Sequence, residues 1–322
     1  MRRYFLGLAA ALAAFIVLPV AAQSYPDRPV KIINPFPSGP TDIFARLLAL
    51  KLQTGLGQPF VVEGHPGAGG LIGVTLAAKA PADGYTLLIT SASTQVVQPA
   101  VRKSMPYDAE KDLIPIVATG PASSVIVVHP SLQVNTLQEL IAYARAHPGK
   151  VSYSSSGLGT ALHLAGELFA SETGIQLLHV PYKTAAESMN GLLSGQVMMM
   201  FDSPTNSAPQ VLGGKVRALA IMGPQRIGVL PDVPTTAELG MPALQFSNWL
   251  GLYAPAGTPP SIIQRITQVL KPAMHDADIK AHFDRSGMSY DTPFGEEFAA
   301  FSRAQRQVLA DVVKKAGIPP ID

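Results

Sequence analysis

Ser154-Ser155-Ser156-Gly157-Leu158-Gly159-Thr160 runs into a helical pattern bearing His163, and a hydroxyl beside an imidazole invites a nucleophilic reading. The chain has no G-x-S-x-G elbow, and His163 falls one turn into the helix, where local hydrogen bonding suits it better than polarising a serine. An exported serine hydrolase using Ser155 or Ser156 with His163 is therefore kept only as the enzyme alternative. His163 and Glu167 share a helical face four residues apart, which supplies two metal ligands and no more. The seven histidines are otherwise dispersed, and there is no H-E-x-x-H or Asp-rich calcium loop. Gly64 to Gly73 is glycine-rich but lacks the G-x-x-x-x-G-K-[ST] phosphate loop. No catalytic residue, metal or cofactor is expected.

What the residues do suit is holding an anion. In Asn34 to Arg46 a β-branched run breaks into a turn with Pro35, Pro37, Gly39 and Pro40, and a helix opens near Thr41 and Asp42. Pro suits a first helical turn, Thr can cap, and bare N–H groups then point back into the turn. Such an end attracts anions, although the same pattern serves an ordinary strand-to-helix connection. Loop 154 to 160 repeats this chemistry. Two such loops facing one cleft would hold a ligand with a carboxylate at either end. Candidate contacts are Phe36, Ser38, Gly39, Thr41 and Asp42 on the first wall, with Ser91 and Ser93 at a further strand end. On the second wall they are Ser155, Ser156, Gly157 and Thr160. Tyr182 and Lys183 add a hydroxyl and an ammonium there, unless they are plain surface residues. Asp202 ends a strand, where it could contact a ligand amine or a bridging water, or simply cap.

The elements that must position these groups alternate. Val30 to Ile33, Phe60 to Glu63 and Tyr85 to Thr90 read as strands, separated by helices over 41 to 54 and from about 71 to 80. A second series follows: strand 124 to 128, helix 136 to 147, strand 151 to 154, a helix from Thr160, strand 177 to 180, a helix from Thr184, and strands 197 to 201 and 216 to 222. Repeated β-α-β units give parallel strands whose ligands collect at the carboxyl ends. The pattern predicts two α/β domains: residues 23–123 with 247–322, and residues 124–246. They would be joined by crossings near Gly120 to Val125 and Ser247 to Tyr253. Helices over 259 to 275 and 293 to 315, with a shorter one between, should pack on the first domain. Thr136 with Glu139, Thr184 with Glu187, and Thr235 with Glu238 read as capping boxes. Met198 to Met200 reads as buried strand rather than ligand wall.

With 322 residues, 47% hydrophobic and 14% charged, the chain can bury a substantial core, and its formal charge of +2 is too small for a nucleic-acid surface. Residues 1–22 read as a signal peptide: Arg2-Arg3, an apolar stretch from Tyr4 to Val20, and Val20-Ala21-Ala22 as the cleavage site, leaving Gln23 first. A retained anchor is the alternative reading. Arg2-Arg3-Tyr4-Phe5-Leu6 also resembles the middle of a twin-arginine signal, so the route, Sec or twin-arginine, stays open while export to the periplasm is expected. The chain contains no cysteine, which removes disulfides, thiolate metal sites and N-terminal cysteine lipidation.

Taken in order, a set of short stretches resembles the periplasmic solute-binding proteins of tripartite tricarboxylate transporters, the Bug receptors. They are Tyr25-Pro26 through Pro29-Val30, Pro35-Phe36 with Gly39 and Thr41-Asp42, Ala45-Arg46, Leu56-Gly57-Gln58, Pro66 to Gly70, and Ala82 to Leu88. The series continues with Ser155-Ser156-Gly157, Gly159-Thr160, His163-Leu164, Val180 to Lys183, Leu230 to Thr235, Trp249, and Ala254 to Pro259. The resemblance covers essentially the mature chain. It implies a two-domain periplasmic-binding-protein fold of type II, with a hinge of two crossing segments and a cleft that closes on a small carboxylate, held partly through water. It also implies delivery to a permease of one large and one small subunit, by a receptor acting as a monomer. A ligand sensor feeding a signalling partner would look the same in sequence. The chain departs from the family pattern in four places. Pro37 to Asp42 is one glycine short, Gly64-His65 replaces Asn-Arg, Thr184 replaces a glycine, and Met198 to Met200 replaces a stretch that usually includes aspartate.

Overall fold

The computed structural model describes residues 25–315 and 317–321; the expected signal peptide lies outside the described residues. The chain runs β1 (Val30–Asn34), α1 (Gly39–Leu56), β2 (Phe60–Gly64), α2 (Leu71–Ala78), β3 (Thr86–Ser91), α3 (Gln98–Val101) and β4 (Leu113–Ala118). It crosses to β5 (Ala122–Val128) and continues through α4 (Leu137–Ala146), β6 (Val151–Ser155), α5 (Ala161–Thr173), β7 (Leu177–Pro181), α6 (Ala185–Leu193), β8 (Met199–Asp202), α7 (Pro204–Leu212) and β9 (Arg217–Met222). The return passes β10 (Ser247–Asn248) and β11 (Leu250–Pro255) into α8 (Pro260–Ala273), α9 (Ala277–Ser286) and α10 (Gly295–Lys315).

Two sheets result, ordered β2-β1-β3-β11-β4 and β10-β5-β8-β6-β7, with β9 also paired to β5. Period-two alternation supplies a core on both faces of each. Val30 and Ile32 of β1 enter an apolar cluster with Phe44 and Leu48 of α1 and Ile266 and Leu270 of α8, while Ile33 enters another with Val74 of α2. In β5, Val125 and Val127 face the cluster holding Met200, and Ile126 and Val128 face Tyr153 and Phe201. Met199 and Met200 are fully buried strand residues.

The β-α-β reading holds for β1 with β2 and β3, and for β6 with β7 and β8, all parallel. It does not extend to β9, which pairs antiparallel with β5. The two strands that follow a crossing, β5 and β11, run antiparallel to their neighbours because each enters its sheet from the opposite end. The crossings clasp each other: Leu250 N–H donates to Thr119 Oγ1 (3.0 Å) and Thr119 N–H to the Leu250 carbonyl (2.8 Å). In the C-terminal run, α8 packs on α1 and β4, α10 packs on β4, and α9 touches both α1 of the first unit and α7 of the second.

Candidate functional site

Where the carboxyl ends of the two sheets meet, a cavity encloses about 740 Å³ of space free of protein atoms, its mouth included. Four helices open onto it. From the first sheet come Ser38, Pro40 and Thr41 at the start of α1; from the second come Leu162 of α5, Thr184 and Ala185 at the start of α6, and Ser203 and Asn206 at the start of α7. Their partial positive charge converges on a space whose described lining has no Lys, Arg or His. The ends differ in how they are capped. Thr160 and Thr184 accept the N–H of residues three further on, His163 and Glu187, and close their own helices. Ser38 and Ser203 occupy the N-cap positions of α1 and α7 without a side-chain capping bond.

The turn before α1 is held from behind. Asn34, fully buried, accepts the Phe36 N–H (2.9 Å) and donates to Asp42 Oδ1 (3.1 Å). Asp42 also binds Arg46 at 2.8 Å and does not line the cavity. Gly39 has φ +70°, and a side chain there would press on Asn206 of the opposite wall, 3.1 Å from its amide nitrogen. Phe36, Ser38, Thr41, Ser91 and Ser93 all line the cavity. Ser93 is partly committed: its Oγ accepts the Ala161 N–H across the cleft at 2.9 Å.

On the second wall the structure sorts the expected residues. Ser156 and Asp202 line the cavity. Ser155 is fully buried and builds the loop instead, accepting the Gly157 N–H (3.2 Å) and standing 2.7 Å from His179 Nε2. Thr160 donates to the Gly157 carbonyl (2.8 Å), and Gly157, at φ +127°, lies against Gly69 of the first wall. Tyr182 donates to Gln196 (3.3 Å), and Lys183 is exposed; neither lines the cavity. The sequence-level pairing of Ser155 or Ser156 with His163 is corrected. His163 Nδ1 accepts the Gly159 N–H (3.1 Å), and the imidazole beside Ser155 is His179. Burial and the neighbouring His163 hold His179 down at about 3, and the serine offers no surface to a substrate.

Among the described residues Asp202 is the one ionisable residue in the lining. It ends β8 opposite Val125 and is fully buried. Its Oδ1 accepts from Asn206 Nδ2 (3.3 Å), while Oδ2 has no partner. Burial raises its pKa to about 7, against the lowering effect of the Ser203 N–H and Asn206. Ser203 Oγ and Asn248 Oδ1, also in the lining, are likewise buried and unpartnered. Sequence reasoning did not find Ala122, Ser123, Ser124, Asn248 and Leu250, which lie at the crossings, nor Ser286 and Met288 at the end of α9. The only signal for the first group was their place in the expected joints.

The family model described as "Tripartite tricarboxylate transporter family receptor" matches residues 44–318. The chain belongs to that receptor family. The receptor is 38% identical to Protein BugT of Bordetella pertussis over 306 residues, covering 94% of both chains. Among solved structures it resembles the periplasmic binding protein BugD (34% identity, TM-score 0.87, covering 92% of this chain and 99% of that one). It also resembles an R. palustris protein solved with adipate (32% identity, TM-score 0.86, covering 92% and 100%). The chain is thus a solute-binding receptor of the two-domain periplasmic-binding-protein fold, a family of binders rather than enzymes. Among the described residues no helix is long and apolar enough to cross a membrane.

Proposed function

We propose that this receptor works in the periplasm, captures a small organic carboxylate between its two walls, and hands it to a membrane permease of one large and one small subunit. The observation that carries the reading is the pair of uncapped helix ends, α1 at Ser38 and α7 at Ser203, facing one cavity from opposite sheets. Backbone N–H groups and free hydroxyls suit a carboxylate, and converging helix dipoles supply the charge that the lining lacks. The adipate-bound relative supports the ligand class, and membership of a transporter receptor family supports the partner. We assign the carboxylate contacts to Ser38, Thr41, Ser156, Thr184 and Ser203, with Phe36 as an apolar floor. We take 23–123 with 247–322 as one closing body and 124–246 as the other, in a monomeric receptor.

Protein unfolded and refolded to strip co-purified ligand should show saturable thermal stabilisation by at least one member of a panel of aliphatic, aromatic and amino-acid carboxylates. A panel without any stabiliser would defeat the reading. Vesicles carrying the two permease subunits should take up the stabilising carboxylate only when the receptor is present.

A further inference from the structure

Among the described lining residues Asp202 alone is ionisable, and its carboxylate keeps one buried oxygen without a partner. A buried charge is normally paired or replaced, because leaving it alone costs stability. Asn206 fixes one oxygen and leaves the other free to accept. The surrounding lining consists of hydroxyls, one further asparagine amide and apolar groups, so the protein itself supplies no cation.

We infer that Asp202 receives a protonated amine, and that the ligand is an amino carboxylate whose carboxylate meets the helix ends while its ammonium meets Asp202 Oδ2. This rests on the carboxylate-receptor reading and narrows it. A zwitterion would bring its own cation to the ionised Asp202 and leave one carboxylate for the helix ends. A dicarboxylate would instead bring two negative charges to a buried carboxylate, which only protonation of Asp202 would relieve. The two ligand classes therefore carry opposite pH signatures. Asp202 is the sole ionisable group among the described lining residues, and burial raises its pKa to about 7. Binding of an ammonium should tighten as pH rises from 5.5 to 8, and binding of a dianion should weaken.

The test is calorimetric titration of stripped wild-type protein and Asp202→Asn. The panel comprises α- and ω-amino carboxylates of three to six carbons, each matched to its deaminated monocarboxylate and to the dicarboxylate of the same length. The expected result has three parts. The best amino carboxylate binds at least tenfold more tightly than both matched partners. Its affinity rises severalfold between pH 5.5 and 8. In Asp202→Asn, which should fold because the amide keeps the shape, that affinity falls at least tenfold and the pH dependence disappears. If a mono- or dicarboxylate binds wild-type protein as tightly as its amino counterpart, the inference is overturned and the carboxylate-receptor reading stands. If no member of the panel produces saturable heat, the inference is overturned, and the carboxylate-receptor reading is decided by its own wider panel. The wild-type comparison decides the matter even if the variant does not fold.

Discussion

The two walls each place an aspartate near the start of a cavity-facing helix, and they treat it in opposite ways. Asp42 on the first wall is tied to Arg46 at 2.8 Å and to Asn34, a partly exposed pair of the kind that contributes little. Asp202 on the second wall is sealed from solvent with one oxygen bonded to nothing. One carboxylate staples a turn; the other is buried at a cost to the fold, and it is the group we assign to the ligand's ammonium. The first wall is thus a neutral, rigid cradle, and discrimination should reside in the second.

The largest expected effect breaks that contrast directly. A folded-state pKa of about 7 against an ordinary value of 3.8 means that the folded protein holds more protons than the unfolded chain between those values. The stabilising difference is complete below pH 3.8 and is lost as pH rises to 7. At pH 8 Asp202→Asn should therefore be more stable than wild type by ~4 kcal/mol, an advantage that shrinks toward pH 4. Denaturant unfolding at the two pH values checks it. Asp42→Asn should cost ~0.5 kcal/mol; a large effect there would show that the two carboxylates are not different in kind.

Acid acts on the second wall in the other direction. Burial holds His179 at about 3 and His163 below its ordinary value, so the unfolded chain binds more protons below pH 6.5. Stability should be full above 6.5 and fall by ~3 kcal/mol as pH drops to 4. On the first unit His282, held at about 4 and stacked on Phe44, adds to the loss. His179→Gln, which keeps a partner for Ser155, should flatten part of this limb; an unchanged acid profile would mean that the imidazole does not titrate on unfolding. A smaller effect sits between the walls. Ser93→Ala deletes the acceptor of the Ala161 N–H and should weaken ligand affinity by ~1 kcal/mol through the closed state. Equal affinities in a calorimetric titration would remove that bond from closure.

How much of this was legible follows from chain distance. The β1 turn could be read because a β-branched run, four turn residues and a helix start lie within thirteen residues. Likewise Thr136 and Thr184 cap α4 and α6 by accepting the N–H of the glutamates three residues on, which reach back to Asn135 N–H and Lys183 N–H, whereas Thr235 closes its box with Glu238 at a turn and not at a helix start. Asp202 was visible as a strand end. Hidden were contributions that arrive from afar: Asn248 joins the cavity by pairing opposite Ala122, more than a hundred residues earlier, and Ser286 arrives on the last turn of α9. Helix α7 was masked by Pro204 and Pro209, although Pro204 sits in the first turn, where its missing N–H costs nothing. Ser155 and Thr160 had the right chemistry for a ligand, but the loop consumes their hydroxyls, because at least three of its positions need side chains to brace it. Local pattern tells which groups are polar; only packing tells whom they serve.

The central claim is that the ligand enters and leaves by separation of these walls. Thr205 Oγ1 of α7 and Ser286 Oγ of α9 meet across the cleft at 2.7 Å, and the chain has no cysteine of its own. The doubly substituted Thr205→Cys, Ser286→Cys protein, oxidised after ligand stripping, should give no binding heat with the carboxylate that stabilises wild type. Reduction should restore the full titration, and oxidation in the presence of that carboxylate should trap it through dialysis. Identical titrations of the oxidised and reduced forms would contradict the account.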